Sequence, residues 1–386
     1  MKIVHICLAG PVTDGWNYQD NMITKYHEIL GHSVTMITSQ WVWGTNGNLE
    51  KNESTDYYNS DGVKVIRLPL KGQDKFTKKF KWYQNLRGNL EKEKPDILFI
   101  HNVSFMDVKT IVSFLKRNKN VKVFVDNHAD FSNSATGFVS KNILHKLIWR
   151  HMAQSLVPYS EKFYGVLPAR VNFLIDMYGV PANQTELLVM GADDEKVVEA
   201  QNTKLIEAFR QKYAIKKDDF LIVTGGKIDK AKMQTINLMQ AVKNTSQKNV
   251  KLLVFGSIEE CLKEQVNRLV DDKKIQYIGW VNSNDSYKIF AAANLVVFPG
   301  RHSVFWEQVV GQGKPMICKF WDGTTHVDLG GNVEFLYTDS VEEIMGKIQL
   351  LLSNKEYFEK MKKVAEEKGS LIFSYKEISK KSIQSF

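Results

Sequence analysis

The chain predicts an α/β protein built as two doubly wound, Rossmann-like domains, and three observations carry that expectation. Two successive series of short apolar or β-branched runs alternate with longer helical patterns, as strands joined by crossover helices do. The runs are nearly unbroken, which suits parallel strands covered on both faces. Glycine-bearing polar loops follow several of them, at the strand ends where such folds bind ligands.

The first series comprises Lys2 to Leu8, a helix around Asn21 to Leu30, then Ser33 to Thr38, Val63 to Leu68, Ile97 to His101 and Val121 to Asp126. The second comprises Phe220 to Thr224, Lys251 to Phe255, Ile275 to Ile278, Leu295 to Phe298 and Met316 to Lys319. Met190-Gly-Ala-Asp-Asp194 is turn-rich and opens a charged helical pattern to Lys212. This sets the boundary near residue 195, giving domains 1–195 and 196–386. From Asn354 the pattern is helical and charged with a break at Gly369, and the last helix is free to pack back on either domain.

With 386 residues, 43% hydrophobic and 25% charged, the chain can bury more than one core. Cys7, Cys261 and Cys318 are odd in number and sit in or beside apolar runs, so they read as reduced core residues. The opening Met1-Lys-Ile-Val-His-Ile-Cys-Leu-Ala-Gly10 is too short an apolar stretch for a signal peptide, and no run approaches the roughly 18 apolar residues of a spanning helix. The expected location is the cytoplasm, including the inner face of the cell membrane. A net charge of +9 favours an acidic partner. The densest basic segment, Lys75 to Arg87, places Phe76, Phe80, Tyr83, Leu86 and Leu90 at helical spacing with lysines between. Such a helix suits an anionic membrane surface, or else it packs its stripe on the domain and solvates its lysines. A second basic amphipathic stretch runs from Ile143 to Met152 with Lys146 and Arg150. No nucleic-acid-binding module pattern is present, so nucleic acid is not an expected partner.

Four loops carry candidate chemistry. Gly10 to Asp20 opens a helix after the first strand, but its glycines lack dinucleotide-fingerprint spacing. Gly15, Trp16, Asn17, Tyr18 and Asp20 suit carbohydrate instead, aromatic faces stacking on sugar C–H surfaces while amide and carboxylate bind hydroxyls. Thr224 to Lys232 offers Gly226 for close backbone approach and Lys227, Lys230 and Lys232 as cations for a diphosphate. Val125 to Asp130 ends a strand and aims His128 at the same crevice, and His101-Asn102 is a weaker version of that signal. The fourth loop lies in Phe298 to Pro315, which reads as strand, polar loop and helix. Its helix N–H groups suit phosphate, and Glu307 in the first turn suits a ribose hydroxyl pair. No histidine, cysteine or aspartate pair has ligand spacing with a third partner, so no metal is expected. Walker loops, nucleophile elbows and paired cysteines are absent from the sequence.

In order along the chain, Met1-Lys-Ile-Val-His-Ile, Gly31-His-Ser-Val-Thr35, Asp96-Ile-Leu-Phe-Ile-His-Asn102, His128, Tyr178-Gly-Val-Pro181 with Met190-Gly-Ala-Asp193, Gly226-Lys-Ile-Asp-Lys-Ala-Lys232 and Ile278-Gly-Trp-Val281 resemble landmarks of bacterial glycosyltransferases of the GT-B fold, the family 4 type that assembles capsule and exopolysaccharide. The resemblance covers nearly the whole chain. It implies two Rossmann-like domains facing across a cleft and transfer of a sugar from a nucleotide sugar, UDP-sugar foremost, to a glycan or lipid-linked acceptor, with retention and without metal. It implies catalytic roles for His128, Lys227 and Lys232. On the donor side stand Gly226, Arg301, Ser303, Val304, Gln308 and Asp322, with His302 and Glu307; on the acceptor side stand Gly15, Trp16, Tyr18, Asp20 and His101. The family's paired glutamates are broken here. The position eight before Glu307 is Pro299 and that before Gln308 is Gly300, so the glutamate for the transferred sugar is missing. Glu307 keeps the ribose role, or Gln308 takes it if Gly313-Lys-Pro315 sets the alignment. Asp322, Thr325 and His326 are the substitutes for the lost sugar contact. Two rivals share the outline: a nucleotide-sugar epimerase, and a non-catalytic partner subunit.

Overall fold

Apolar runs with no polar face must be covered on both sides, and the chain meets that demand twice. A computed structural model describes residues 1–44, 48–230 and 233–384. It divides into one unit of Met1–Val189 with Ile378–Phe386, and a second of Met190–Glu377. The division falls a few residues before the expected 195, because the helix Asp194–Ala200 already belongs to the second unit.

The first unit contains β1 (Lys2–Cys7), β2 (Ser33–Ser39), β3 (Trp41–Trp43), β4 (Leu49–Lys51), β5 (Asp56–Tyr58), β6 (Lys64–Leu68), β7 (Ile97–His101), β8 (Lys122–Asn127), β9 (Ser160–Gly165) and β10 (Thr185–Leu187). Eight of these form one sheet in the order β10-β9-β8-β7-β1-β2-β6-β5, parallel except for β5, while β3 and β4 pair separately. In register Val4 lies beside Thr35 and Leu98. Val4, Ile6, Leu98, Ile100, Val123 and Val125 join the large core. The two-residue period turns His5, Phe99 and His101 to the opposite face.

The second unit contains β11 (Phe220–Gly225), β12 (Val250–Phe255), β13 (Ile275–Tyr277), β14 (Leu295–Phe298), β15 (Met316–Lys319) and β16 (Val333–Leu336). They form one six-stranded parallel sheet in the order β13-β12-β11-β14-β15-β16. Strand order therefore reverses between β1 and β7 in one unit and between β11 and β14 in the other. Loops at such reversals diverge and leave room for a ligand.

Several expectations need correction. The basic segment is not one helix: Lys75–Phe80 and Leu86–Glu93 are separated by Lys81 and Asn85 at φ 58° and 55°, left-handed values that stop a helix. Tyr83, Leu86 and Leu90 are buried, whereas Phe76 is exposed. The second basic stretch is a π-helical turn, Ser140–Trp149, running into the helix Arg150–Leu156, and it exposes Phe138, Val139, Ile143 and Leu147. Gly369 is not a break, since its φ and ψ of −63° and −49° continue the helix. Cys7 and Cys318 are buried as expected, but Cys261 is exposed.

Candidate functional site

In the first unit the ends of β1, β7 and β8 and the start of the helix Gln19–Ile29 bring four titratable side chains together. His101 and Asp126 are register partners on adjacent parallel strands, so their side chains share a face. His101 Nδ1 lies 2.8 Å from Asp126 Oδ2 and 3.2 Å from Asp20 Oδ1. His128 Nε2 lies 3.3 Å from Asp126 Oδ1 and 3.9 Å from Asp20, outside hydrogen-bond geometry. The backbone N–H of Asn102, a left-handed residue at φ 65°, donates to Asp126 Oδ1 at 3.2 Å. Burial opposes charge on both partners. Even so, the neighbouring Asp126 and Asp20 carboxylates raise His101 well above the ordinary histidine range, and His101 with His128 holds Asp126 well below the carboxylate range. The pair is ionic.

The loop after β1 is pinned by Arg67, whose buried guanidinium donates to the carbonyls of Val12 and Ser39, both at 3.0 Å, and to the Tyr57 hydroxyl at 2.8 Å. It also pairs with Asp14 at 3.3 Å. Four anchors on one side chain fix both the start of the loop and its neighbour. Gly15 supplies the turn at φ 75°, and Trp16 and Tyr18 follow with ring centroids 5.4 Å apart, Tyr18 exposed. The expected acceptor-side residues are therefore gathered in this unit, close to His128.

In the second unit Gly225 and Gly226 end β11 against the end of β12. A Cβ on Gly256 would stand 1.9 Å from the Gly226 carbonyl oxygen, and Gly226 itself has φ 120°. Only two glycines allow this backbone approach. The loop is further tied by hydrogen bonds from Ile228 N–H to the Ser257 carbonyl and from Glu259 N–H to the Ile228 carbonyl, at 2.8 and 2.9 Å. Lys227 is largely exposed and lies 3.5 Å from Asp229. Lys232 falls outside the described residues.

After β14 the chain passes through Pro299 to Val304 and enters the helix Phe305–Gly311. Arg301 and Val304 are exposed, and Ser303 Oγ accepts the Phe305 N–H at 3.4 Å. Glu307 does not face outward. It is 0% exposed, and its Oε1 accepts hydrogen bonds from His302 Nε2 at 2.7 Å and His326 Nε2 at 2.9 Å. Burial alone would raise this carboxyl, but the two histidines hold it well below the usual range. Gln308 is 6% exposed and donates to Ser286 Oγ at 3.0 Å. The direct ribose contact expected of Glu307 is thus corrected to an internal role, and Gln308 is also turned inward. His326 is spent on Glu307, leaving Asp322 and Thr325 exposed beyond β15. Trp280, after β13, is 73% exposed.

The expectation that no metal-ligating types gather does not hold either. Among the described residues, ligand atoms of Asp20, His101, Asp126 and His128 lie within 4.8 Å of one another, as do those of His302, Glu307 and His326. Their members come from separate segments, which spacing along one segment cannot reveal. His101, His302 and His326 already meet carboxylates through hydrogen bonds, whereas His128 Nε2 has no hydrogen-bond partner. Sequence reasoning also passed over His5, His27 and Asp126; for His5 and Asp126 the available signal was a polar residue interrupting an otherwise apolar strand, while His27 lies within the helix Gln19–Ile29.

Residues 206–368, inside the second unit, match the family model described as Glycosyl transferases group 1. Among solved structures the chain is similar to a glycosyltransferase from Rickettsia africae, at 15% identity and TM-score 0.67, covering 98% of this chain and 96% of that one. It is similar to Anabaena HepE in complex with UDP-glucose, at 14% identity and TM-score 0.66, covering 99% and 98%. It is similar also to UDP-GlcNAc 2-epimerase from Neisseria meningitidis bound to UDP-GlcNAc, at 13% identity and TM-score 0.64, covering 99% of each. No curated protein matches by sequence. The fold is that of GT-B glycosyltransferases, with the two Rossmann-like units expected. The matched segment and the glycosyltransferase neighbours support a glycosyltransferase.

Proposed function

We propose that the chain transfers a sugar from a nucleoside diphosphate sugar, a UDP-sugar foremost, to a glycan or lipid-linked acceptor in surface polysaccharide synthesis, retaining the anomeric configuration. The observation that carries this reading is the β11/β14 reversal, where the Gly226 loop and the Arg301 to Val304 loop meet the start of a helix. Amides of His302, Ser303 and Val304 receive the diphosphate, and Lys227 and Lys232 offset its charge as it leaves. Arg301 adds a further cation. Glu307 acts through His302: with Nε2 donated inward, His302 keeps Nδ1 for a donor hydroxyl. Asp322 takes a hydroxyl of the transferred sugar.

On the acceptor side Trp16 and Tyr18 stack on sugar faces while Asp20 and His128 bind hydroxyls. The reaction runs without metal on this reading, and turnover should survive dialysis against EDTA. Thermal shifts with UDP-, GDP- and ADP-sugars test the donor: saturation at 100 times Kd adds about 2.7 kcal/mol of apparent stability. No shift with any nucleotide sugar would leave the non-catalytic subunit standing.

A second reading, nucleotide-sugar epimerase, is favoured by the Asp20, His101, Asp126 and His128 cluster, since epimerases need several acid/base groups around the sugar. Incubation with UDP-GlcNAc and no acceptor separates the two. An epimer or enol product would replace the transferase reading.

The site is placed at the inner face of an anionic membrane. Exposed Phe76, Phe138, Val139, Ile143 and Leu147 sit beside Lys75, Lys78, Lys79, Lys141 and Lys146 in sequence, the pairing such surfaces use. No helix among the described residues is long and apolar enough to cross a membrane. Replacing the exposed Lys75, Lys78 and Lys79 by Gln should release the protein from phosphatidylserine vesicles in a flotation assay, and retention would leave those lysines as a solvated face.

A further inference from the structure

Three histidines stand in line behind the strand ends of the first unit. His101 Nε2 meets His5 Nδ1 at 2.9 Å, and His5 Nε2 meets His27 Nδ1 at 3.0 Å. His27 Nε2 lies 3.0 Å from the Ser379 carbonyl oxygen and 3.1 Å from Ser382 Oγ. At the other end His101 Nδ1 faces Asp126 and Asp20. His5 and His27 are 0% exposed and His101 is 2% exposed, so no water is at hand to complete a missing bond. Phe99 packs against all three rings.

The chemistry of the last acceptor sets the order of protons along this line. A carbonyl oxygen only accepts, so His27 Nε2 carries the hydrogen. The Ser382 hydroxyl already donates to the Ser379 carbonyl at 2.8 Å, so its oxygen is an acceptor as well. A neutral imidazole has one N–H; His27 Nδ1 therefore accepts, and His5 Nε2 donates to it. By the same step His5 Nδ1 accepts and His101 Nε2 donates. His101 Nδ1, between two carboxylates, must donate too. The contacts thus call for one proton more than three neutral rings supply, and of the three rings only His101 lies against carboxylates, so the extra proton rests there rather than on His5 or His27.

We infer that His5 and His27 are positioning residues which, anchored on the Ser379 carbonyl, keep His101 doubly protonated as a fixed cation between Asp20 and Asp126. Under the glycosyl-transfer reading, on which this role rests, the cation orients Asp20, the partly exposed carboxylate, to accept a hydrogen bond from a substrate hydroxyl. The electrostatics agree. Burial and the neighbouring histidines lower His5 well below its ordinary value, and burial takes His27 down to about 3. Other groups facing the line do not compete: burial pushes the Cys7 thiol up to about 11, so it is uncharged, and His32 approaches only the His27 ring edge, at 6.0 Å. His128 and Asp126 complete the set from the end of β8.

Imidazole 15N NMR of the full chain between pH 5.5 and 8.5 decides the proton order. In the expected spectrum His101 carries hydrogen on both nitrogens throughout, while His5 and His27 stay neutral with hydrogen on Nε2. A neutral His101 at pH 8, or Nδ1–H on His5 or His27, overturns the assignment. The role is read from UDP release, with water as acceptor, from the UDP-sugar that stabilises the chain most. His27→Gln, whose amide can donate to Ser379 and accept from His5, should keep the pH profile. His27→Leu should lose about tenfold in kcat, the weight of one hydrogen bond to a charged group, with a shifted profile and unchanged thermal shift by donor. Identical behaviour of the two variants removes the positioning role. Absence of UDP release from the unsubstituted chain overturns the transferase reading and the role together, while the NMR pattern still decides the protonation.

Discussion

The two units share a strand order and differ in what they place at the reversal. Each holds a fully buried carboxylate gripped by histidines: Asp126 by His101 in the first, Glu307 by His302 and His326 in the second. In the first unit the gripping histidine is backed by a line of hydrogen bonds that ends on a carbonyl. In the second the line stops at once, since His326 Nδ1 is buried without a partner. The loops after the strands differ as well: the first unit carries aromatic and titratable side chains there, and the second carries the close glycine pair Gly226 and Gly256 with the exposed Lys227. Topology decides where a ligand is met, and strand-end residues decide which chemistry meets it.

Four experiments would break or sharpen that contrast. The largest effect is expected from Gly256→Ala, which drives a methyl into the Gly226 carbonyl at a φ of 122° that only glycine adopts freely. Unfolding in urea should show a loss of about 4 kcal/mol in the second unit, overpacking and backbone strain together. A wild-type transition would mean that the two loops are not in contact. Next, Glu307→Gln should cost about 3 kcal/mol by the same assay, since it removes a buried carboxylate that accepts two hydrogen bonds and sets a new N–H group in its place. A stable variant that merely binds donor less well would return Glu307 to the ribose. Third, Lys227→Ala and Lys232→Ala should each lower turnover about 100-fold with an unaltered melting temperature, the scale of one transition-state charge contact.

The smallest effect is on pH, and it concerns the first unit alone. Between about 3 and 6.5 the unfolded chain binds a proton at His27 that the folded chain refuses, so stability falls as pH drops through that window, by up to about 1.4 kcal/mol per unit for each such histidine. His5 acts in the same sense. His101 acts oppositely: its contribution is complete below about 6.5 and is lost as pH rises toward its elevated folded value. Stability should therefore peak near pH 6.5, and His27→Leu should flatten the acid side. A curve rising steadily toward pH 5 would contradict the neutral state of His5 and His27.

The central strands were legible because Ile97 to Ile100 and Leu221 to Val223 are apolar on both faces and Ile3 to Leu8 is broken only by His5. The outer strands were not: Ser160–Gly165, one in from the edge, and the edge strand Val333–Leu336 interleave polar residues, and each has positions that are not buried. The loops that carry the candidate site were placed correctly from their position after strands. The direction of Glu307 was not legible, because it depends on His326, which arrives from 19 residues further along. His5 and His27 were missed for a related reason. A buried histidine declares itself only through its partners, and here those partners lie 22, 96 and 352 residues away.

Arg67 bears on how such a protein diversifies. By fastening Val12, Ser39, Tyr57 and Asp14 from beneath, it fixes the frame of the loop after β1 without using Gly15, Trp16, Asn17 or Tyr18. Those residues then form a replaceable cassette on a permanent mount. On the proposed acceptor role of this loop, exchanging their side chains would alter which acceptor is recognised while leaving the Arg67 anchors in place, so new specificities could be explored one residue at a time.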